Sequence, residues 1–231
     1  SGSHRLRPVT EPRQARAEVT RRRILDAAVD LFAGAGYGET GLAEIVKQAE
    51  VTKGAFYYHF ASKEAVATAI IEDSQSKIVE AANRAASGSA AGLESVIAKT
   101  FGIARLVQTD RSIRIGKELA RSLTQVSDAG RNAFQVWTAD FIGEVQKAGA
   151  QGELLDDVDP DEVGEAIWVA VLGTDLLSNA LADDYSMRLA EVWRVLLRGV
   201  VPAESIGYFQ EFVKRAAMRP AHGHPDAAPA Q

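Results

Sequence analysis

The chain has 231 residues, 46% apolar and 25% charged, with a net charge of −5, enough for one large domain or a small one beside a larger one. It has no cysteine, which excludes a disulfide framework, a thiolate metal site and a cysteine nucleophile, and fits a reducing cytoplasm. No apolar run approaches the roughly 18 residues of a transmembrane helix, and the N-terminus lacks the apolar stretch of a secretory signal.

The charge is unevenly spread. Residues 1–63 carry ten Lys/Arg against seven Asp/Glu, and residues 64–231 carry sixteen against twenty-four. Arg5, Arg7, Arg13, Arg16, Arg21, Arg22 and Arg23 all fall within the first 23 residues. A basic end on an acidic body points to a polyanion that meets one end only.

The opening SGSH reads as the scar of an expression tag, and residues 1–19 as a flexible basic arm. From there helical periodicity dominates and no strand alternation is found. In RRRILDAAVDLFAGAGYG, Ile24, Leu25, Ala28, Leu31 and Phe32 form one stripe, stopped by Gly34 and Gly36. In TGLAEIVKQAEV, Leu42, Ile45, Val46 and Ala49 recur at helical spacing, with Thr40 as N-cap. TKGAFYYHF is a third short helix capped by Thr52, and Ser62 caps a longer one through Ala86. Ser87–Gly92 is a small-residue loop. Further helices are predicted over 93–107, 113–123, 129–147, 161–182, 186–200 and 205–217, and the Pro/Ala-rich tail 219–231 reads as disordered.

Three short helices, the second and third joined only by Ala49–Val51, match the helix-turn-helix plan. The third would be the recognition helix. Lys53 and Tyr57 share one face, Gly54 and Tyr58 the adjacent one, and Phe56 and Phe60 turn inward. Gly54 costs about 1 kcal/mol against alanine inside a helix, which a close approach to DNA would justify. Lys53 can donate to a guanine edge or a phosphate. The hydroxyls of Thr52, Tyr57 and Tyr58 and the His59 imidazole can reach phosphate oxygens. Thr40 and Gly41 at the start of the second helix, Lys63 at the start of the fourth, and Arg21 and Arg22 complete the candidate DNA-binding set. The bland alternative, aromatic packing in a small three-helix core, is the better account of Phe56 and Phe60.

Further on, DEVGEAIWVAVLGTDLLSNALA and RLAEVWRVLLRGVV are apolar on more than one face. Such helices suit a core that also meets a twin, as a palindrome-reading dimer requires. Asp175 inside this run calls for a basic partner across such an interface. No GxSxG, HExxH or phosphate-loop motif is present. His59 is the only histidine outside the two ends of the chain, so no enzyme, cofactor or metal is expected. Asp159 before Pro160 reads as a helix cap.

The run Thr20–Ile71, with VTKGAFYYHFASKE at its centre, resembles the DNA-binding domain of TetR-type repressors. The body resembles the γ-butyrolactone receptor branch through FQVWTADF, VLGTDLL and EVWRVLLRGVVP. The resemblance implies an all-α homodimer in the cytoplasm, with a helix-turn-helix domain over 20–66 and a ligand-binding and dimerising bundle over 67–218. It implies a double-stranded operator, palindromic, and release by a small amphipathic effector such as a γ-butyrolactone or butenolide. It places Trp137, Phe141, Thr174 and Trp193 in the ligand site. Where the branch often carries a glutamine on the fourth helix, Ser74 stands here with Gln75 beside it, and by that correspondence the two are the candidate polar contacts of the ligand. Three alternatives remain open from the residues alone: a repressor for an unrelated lipophilic ligand, a pseudo-receptor with no hormone, and a helical small-molecule binder or enzyme without DNA function.

Overall fold

The computed structural model describes residues 11–124 and 128–219. Among them all regular structure is helical, in ten helices: α1 (Glu11–Ala35), α2 (Leu42–Gln48), α3 (Lys53–His59), α4 (Lys63–Ala86), α5 (Leu93–Thr109), α6 (Arg111–Ser122), α7 (Asp128–Ala150), α8 (Pro160–Leu181), α9 (Tyr185–Val200) and α10 (Ala203–Met218). None is long and apolar enough to cross a membrane.

The expected stripe of α1 is buried at Ile24, Leu25, Ala28 and Phe32. Gly36 ends the helix at φ 86°, its N–H bonded to the Phe32 carbonyl at 3.0 Å, the conformation that favours glycine. The flexible arm expected over 1–19 is corrected in its second half, because α1 begins at Glu11. Residues 13–20 hold no glycine or proline, their Ala, Arg, Gln and Glu favour helix, and Pro12 lies in the first turn where its missing N–H is harmless. No apolar stripe recurs there, so periodicity does not reveal it. Residues 1–10 and the tail 220–231 lie outside the described residues.

Most caps fall where the sequence puts them. Thr52 accepts from the Ala55 N–H at 3.1 Å, Ser62 from Ala65 at 3.1 Å, and Asp159 from Asp161 at 2.8 Å before Pro160. The cap of α2 is different. Gly41 is its N-cap, and the Glu44 carboxylate accepts from the Gly41 N–H at 2.7 Å. Thr40 instead donates its hydroxyl to the Gly36 carbonyl at 2.8 Å, closing the turn between α1 and α2.

The described residues form two compact units, one of those within 1–74 and 115–130, the other of those within 75–114 and 131–231. The sequence places the boundary at 66/67, where the helical pattern of α4 shows no break; the units part eight residues later, inside α4. In the first unit α1 packs on α2 and α3. Ser74 of α4 meets α6 at Gly116, where a Cβ would stand 2.2 Å from the Ser74 Oγ, so only glycine permits that approach. In the second unit α8 packs on α9, α9 on α10, and α5 on both α9 and α10. Its core gathers Ile97, Phe101, Trp137, Phe141, Ile167, Trp168, Leu189 and Trp193. Arg105 of α5 donates to the Ala216 carbonyl of α10 at 3.0 Å.

Candidate nucleic-acid interface and effector core

The turn before α3 is a full Schellman closure without its usual glycine. The Val51 N–H bonds to the Val46 carbonyl at 3.2 Å and the Glu50 N–H to Lys47 at 3.1 Å. Glu50 takes the left-handed conformation, φ 52°, which costs an L-residue about 1–2 kcal/mol. The Arg23 guanidinium meets the Glu50 carboxylate at 2.9 Å. α3 then leaves this turn with its two faces sorted. Phe56 and Phe60 are buried, ring centroids 6.1 Å apart. Thr52, Lys53 and Gly54 are exposed, as are Tyr57 and Tyr58, at 56% and 75%. His59 is half-buried, edge-on to Tyr58 at 4.9 Å.

Gly54 is informative because the fold leaves it alone. A Cβ there would meet nothing closer than Thr52 Oγ1 at 3.9 Å. The protein's own packing would accept alanine, which forms helix better by about 1 kcal/mol. The space beside it opens outward from α3, as it does at other uncrowded helical glycines such as Gly143 and Gly173.

Around this face the remaining candidates separate. Gly41 is exposed at the start of α2. Thr40 is 2% exposed with its hydroxyl engaged internally, so the expected DNA contact there is corrected: burial removes it from any partner's reach. Arg21 lies over the Phe60 ring at 5.4 Å, and Arg22 reaches Asp73 at 3.8 Å. Lys63, expected to meet an anion at the start of α4, turns inward instead. Its ammonium donates to the Tyr37 carbonyl at 2.8 Å and the Thr40 carbonyl at 2.9 Å, with Nζ 4.3 Å from the Tyr37 ring centroid. Burial, aided by the charge of Glu64, pushes the Tyr37 phenol up.

The second unit holds the aromatic candidates. Trp137 and Phe141 are buried and both stack on Trp168, at 5.9 and 5.0 Å between centroids. Trp168 of α8 completes the stack. Trp193 lies elsewhere in this core and donates its indole N–H to Thr100 Oγ1 at 3.0 Å, while the Thr100 hydroxyl donates to Ile97 at 2.8 Å. No local pattern marks Thr100, whose partner is 93 residues away. Thr174 donates to its own helix at Ala170, 2.6 Å, leaving its lone pairs as its free polar function. Ser74 is 3% exposed, donates to Ile71 at 2.8 Å and packs against Gly116. The expected effector contact at Ser74 is thereby corrected: helix packing occupies its side chain. Gln75 is half-buried.

Other polar groups in this unit support the frame. Lys99, buried, bridges Asp140 at 3.0 Å and Glu144 at 3.3 Å, and Glu144 also meets Lys147 at 3.0 Å. Burial pushes the Tyr185 phenol up, with the charge of Asp175 adding to it. Among the described residues no group of His, Asp and Glu is placed to hold a metal ion.

A family model for bacterial regulatory proteins of the tetR family matches residues 24–70, and one for the tetracyclin repressor-like C-terminal domain matches 90–202. The A-factor receptor protein of Streptomyces griseus is 32% identical over 190 residues, 81% of this chain and 66% of the receptor's length, just under two thirds. A crystal structure of a gamma-butyrolactone receptor (ArpA like protein) superposes with TM-score 0.74 at 35% identity, over 87% of this chain and 98% of that one. CprB from Streptomyces coelicolor, in complex with its biological operator sequence, superposes with TM-score 0.74 at 35% identity, over 89% and 100%.

Proposed function

The chain belongs to the tetR family of bacterial regulatory proteins, and from that premise we propose that it is a cytoplasmic, homodimeric repressor that leaves its operator when a small amphipathic effector binds. It is a regulator and not an enzyme. The observation that carries the DNA side is the outer face of α3: Lys53, Tyr57 and Tyr58 stand exposed around a glycine that the fold does not require. Lys53 reads a guanine edge or a phosphate, while Thr52, Tyr57, Tyr58 and His59 hold the backbone. Gly41 brings the start of α2 close to the same strand, and Arg22 adds charge beside it.

Two copies of α3 meet two half-sites through a two-fold axis. Val169, Leu176 and Leu181 on α8 and Met187 and Val195 on α9 are exposed apolar residues on helices whose other sides are already packed. They suit a four-helix interface between copies. The effector reading rests on Trp137, Phe141, Thr174 and Trp193, on Gln75, and on likeness to a receptor named for γ-butyrolactones. Aromatic walls with one hydroxyl acceptor suit a lactone ring on an alkyl chain. Binding shifts the population towards a spacing of the two α3 helices that the operator no longer fits.

Selection from a random duplex library by the full-length protein tests the DNA reading. The result expected is a palindrome with half-sites about one helical turn apart; no enrichment over random duplex would end it. One observation favours a second reading, DNA binding without a lactone response: Ser74, where the branch often carries glutamine, is sealed against Gly116. Trp137→Ala and Trp193→Ala separate the two. If neither changes lactone-driven release, the effector is of another class.

A further inference from the structure

Among the described side chains Lys99 of α5 is the only charged one that the fold buries, at 5% exposed. Its ammonium reaches across to α7. There it donates to both oxygens of Asp140, at 3.0 and 3.2 Å, and to Glu144 at 3.3 Å. Glu144 also accepts from Lys147 at 3.0 Å. The two carboxylates differ in their access to water: the Asp140 side chain is half-exposed, while that of Glu144 is largely enclosed.

Stability alone does not call for a lysine here. Taking an ammonium out of water is costly, and replacing a buried ion pair by apolar side chains of similar volume is often neutral or stabilising. What the charges supply and methylene groups do not is register, because the ammonium must meet its carboxylates and no other point on the facing helix. The register concerned is that of α7 on α5, and each partner stands beside a candidate effector residue. Asp140 and Glu144 follow Trp137 and Phe141 by three residues on α7, a single turn of the helix. Lys99 immediately precedes Thr100, which accepts the Trp193 indole N–H at 3.0 Å. One lysine thus relates the helix that carries Trp137 and Phe141 to the helix that holds Trp193.

We infer that Lys99 is a positioning residue of the effector core: by pairing with Asp140 and Glu144 it sets the register of α7 on α5, and with it the pose of Trp137 and Phe141 relative to Trp193. This rests on the effector reading above. A positioning role acts through the carboxylates, so removing Lys99 and removing a carboxylate have the same consequence and do not add. It also leaves a mark on the tryptophans, whose stack at 5.9 Å between Trp137 and Trp168 gives a near-ultraviolet circular dichroism that depends on pose.

The test uses the full-length protein on the duplex that it selects, released by the member of a γ-butyrolactone and butenolide series that acts on the wild type at the lowest concentration. Lys99→Met strands no carboxylate, since Asp140 reaches water and Glu144 keeps Lys147. It is expected to hold operator affinity within about twofold and to need about tenfold more lactone for release, the scale of one charged hydrogen bond. Its near-ultraviolet dichroism should differ from that of the wild type below the melting transition of both. Asp140→Asn should shift release in the same direction and add little to Lys99→Met. Lys99→Arg, which keeps the charge and can meet both carboxylates, should recover much of the response. Unchanged release in Lys99→Met overturns the inference whatever the melting temperature does, and leaves Lys99 merely structural. Weakened release with unchanged dichroism, or with an Asp140→Asn that behaves as wild type, overturns it as well and makes Lys99 a direct effector contact. Should Lys99→Met not fold, Asp140→Asn decides by the same release and dichroism. A wild type released by no lactone of the series ends the effector reading and this inference together, whereas a responsive wild type with unchanged variants ends this inference alone.

Discussion

The two units treat their aromatic residues in opposite ways. The first divides one continuous block, burying Phe56 and Phe60 and exposing Tyr57 and Tyr58. The second hides all three tryptophans of the chain in its core. A unit that reads a surface must present its chemistry, and a turn and one short helix suffice to aim it. A unit that encloses a small molecule must keep its chemistry inside, where neighbours far apart in sequence set each side chain.

Substitution should break that contrast most sharply at the buried positions. Phe56→Ala and Trp168→Ala each remove a large core side chain and should lower stability by about 3–5 kcal/mol, read by thermal melting. Their functional effects should diverge. Phe56→Ala abolishes operator binding, while the folded fraction of Trp168→Ala still binds duplex and loses its effector response. Loss of duplex binding in both would show that the two units do not carry separate tasks.

Next in size is Lys53→Ala. Operator affinity should fall by about 1–3 kcal/mol if Lys53 reads a base, with a shallower salt slope if it meets phosphate. The melting temperature should hardly move, since an exposed substitution stays within about 0.5 kcal/mol. A large stability loss would place Lys53 in the frame and off the reading face.

A smaller effect concerns the turn before α3. Glu50→Gly and Glu50→Ala both remove the ion pair with Arg23, an exposed contact contributing about 0–1 kcal/mol. Only glycine relieves the left-handed backbone. Chemical denaturation should find Glu50→Gly more stable than Glu50→Ala by about 1 kcal/mol, and equal stability would argue against a left-handed Glu50.

The smallest expected effect is a pH dependence of the second unit. Burial alone would raise the carboxyls of Asp110 and Glu144. Hydrogen bonds from Ser112 and the backbone at Asp110, and the ammonium groups of Lys147 and Lys99 at Glu144, outweigh it and hold both below their ordinary values. Groups lowered in this way add stability that is full above the ordinary carboxylate range of about 3.9–4.3 and is lost as pH falls through the lower folded values. Because every tryptophan lies in the second unit, tryptophan fluorescence follows it selectively. Asp110→Asn and Glu144→Gln should each lower its stability at neutral pH and flatten the acid limb. Burial with the nearby charge of Glu94 raises Glu153, so Glu153→Gln should act in the opposite direction at neutral pH.

Legibility in the sequence follows the same division. The helix-turn-helix, the inward Phe56 and Phe60, and the caps at Thr52, Ser62 and Asp159 depend on contacts within four residues, and the residues announce them. Three features of the first unit escaped because they depend on partners 20 or more residues away, or on a backbone conformation that its residue type does not advertise: Lys63 on the Tyr37 and Thr40 carbonyls, Ser74 against Gly116, and the left-handed Glu50. The extension of α1 back to Glu11 escaped for another reason: a polar helix without an apolar stripe has no period to detect. In the second unit the candidates were legible as residue types only. Nothing local says that Trp168 stacks on Trp137 and Phe141, or that Trp193 donates to Thr100.

The most direct test of the whole account is fluorescence anisotropy of a labelled duplex from the gene's own upstream region, titrated with the full-length protein and then with a series of γ-butyrolactones and butenolides. The account predicts tight binding, steeply weakened by salt and released by one lactone of the series. Binding no tighter than to a random duplex would contradict it at its root.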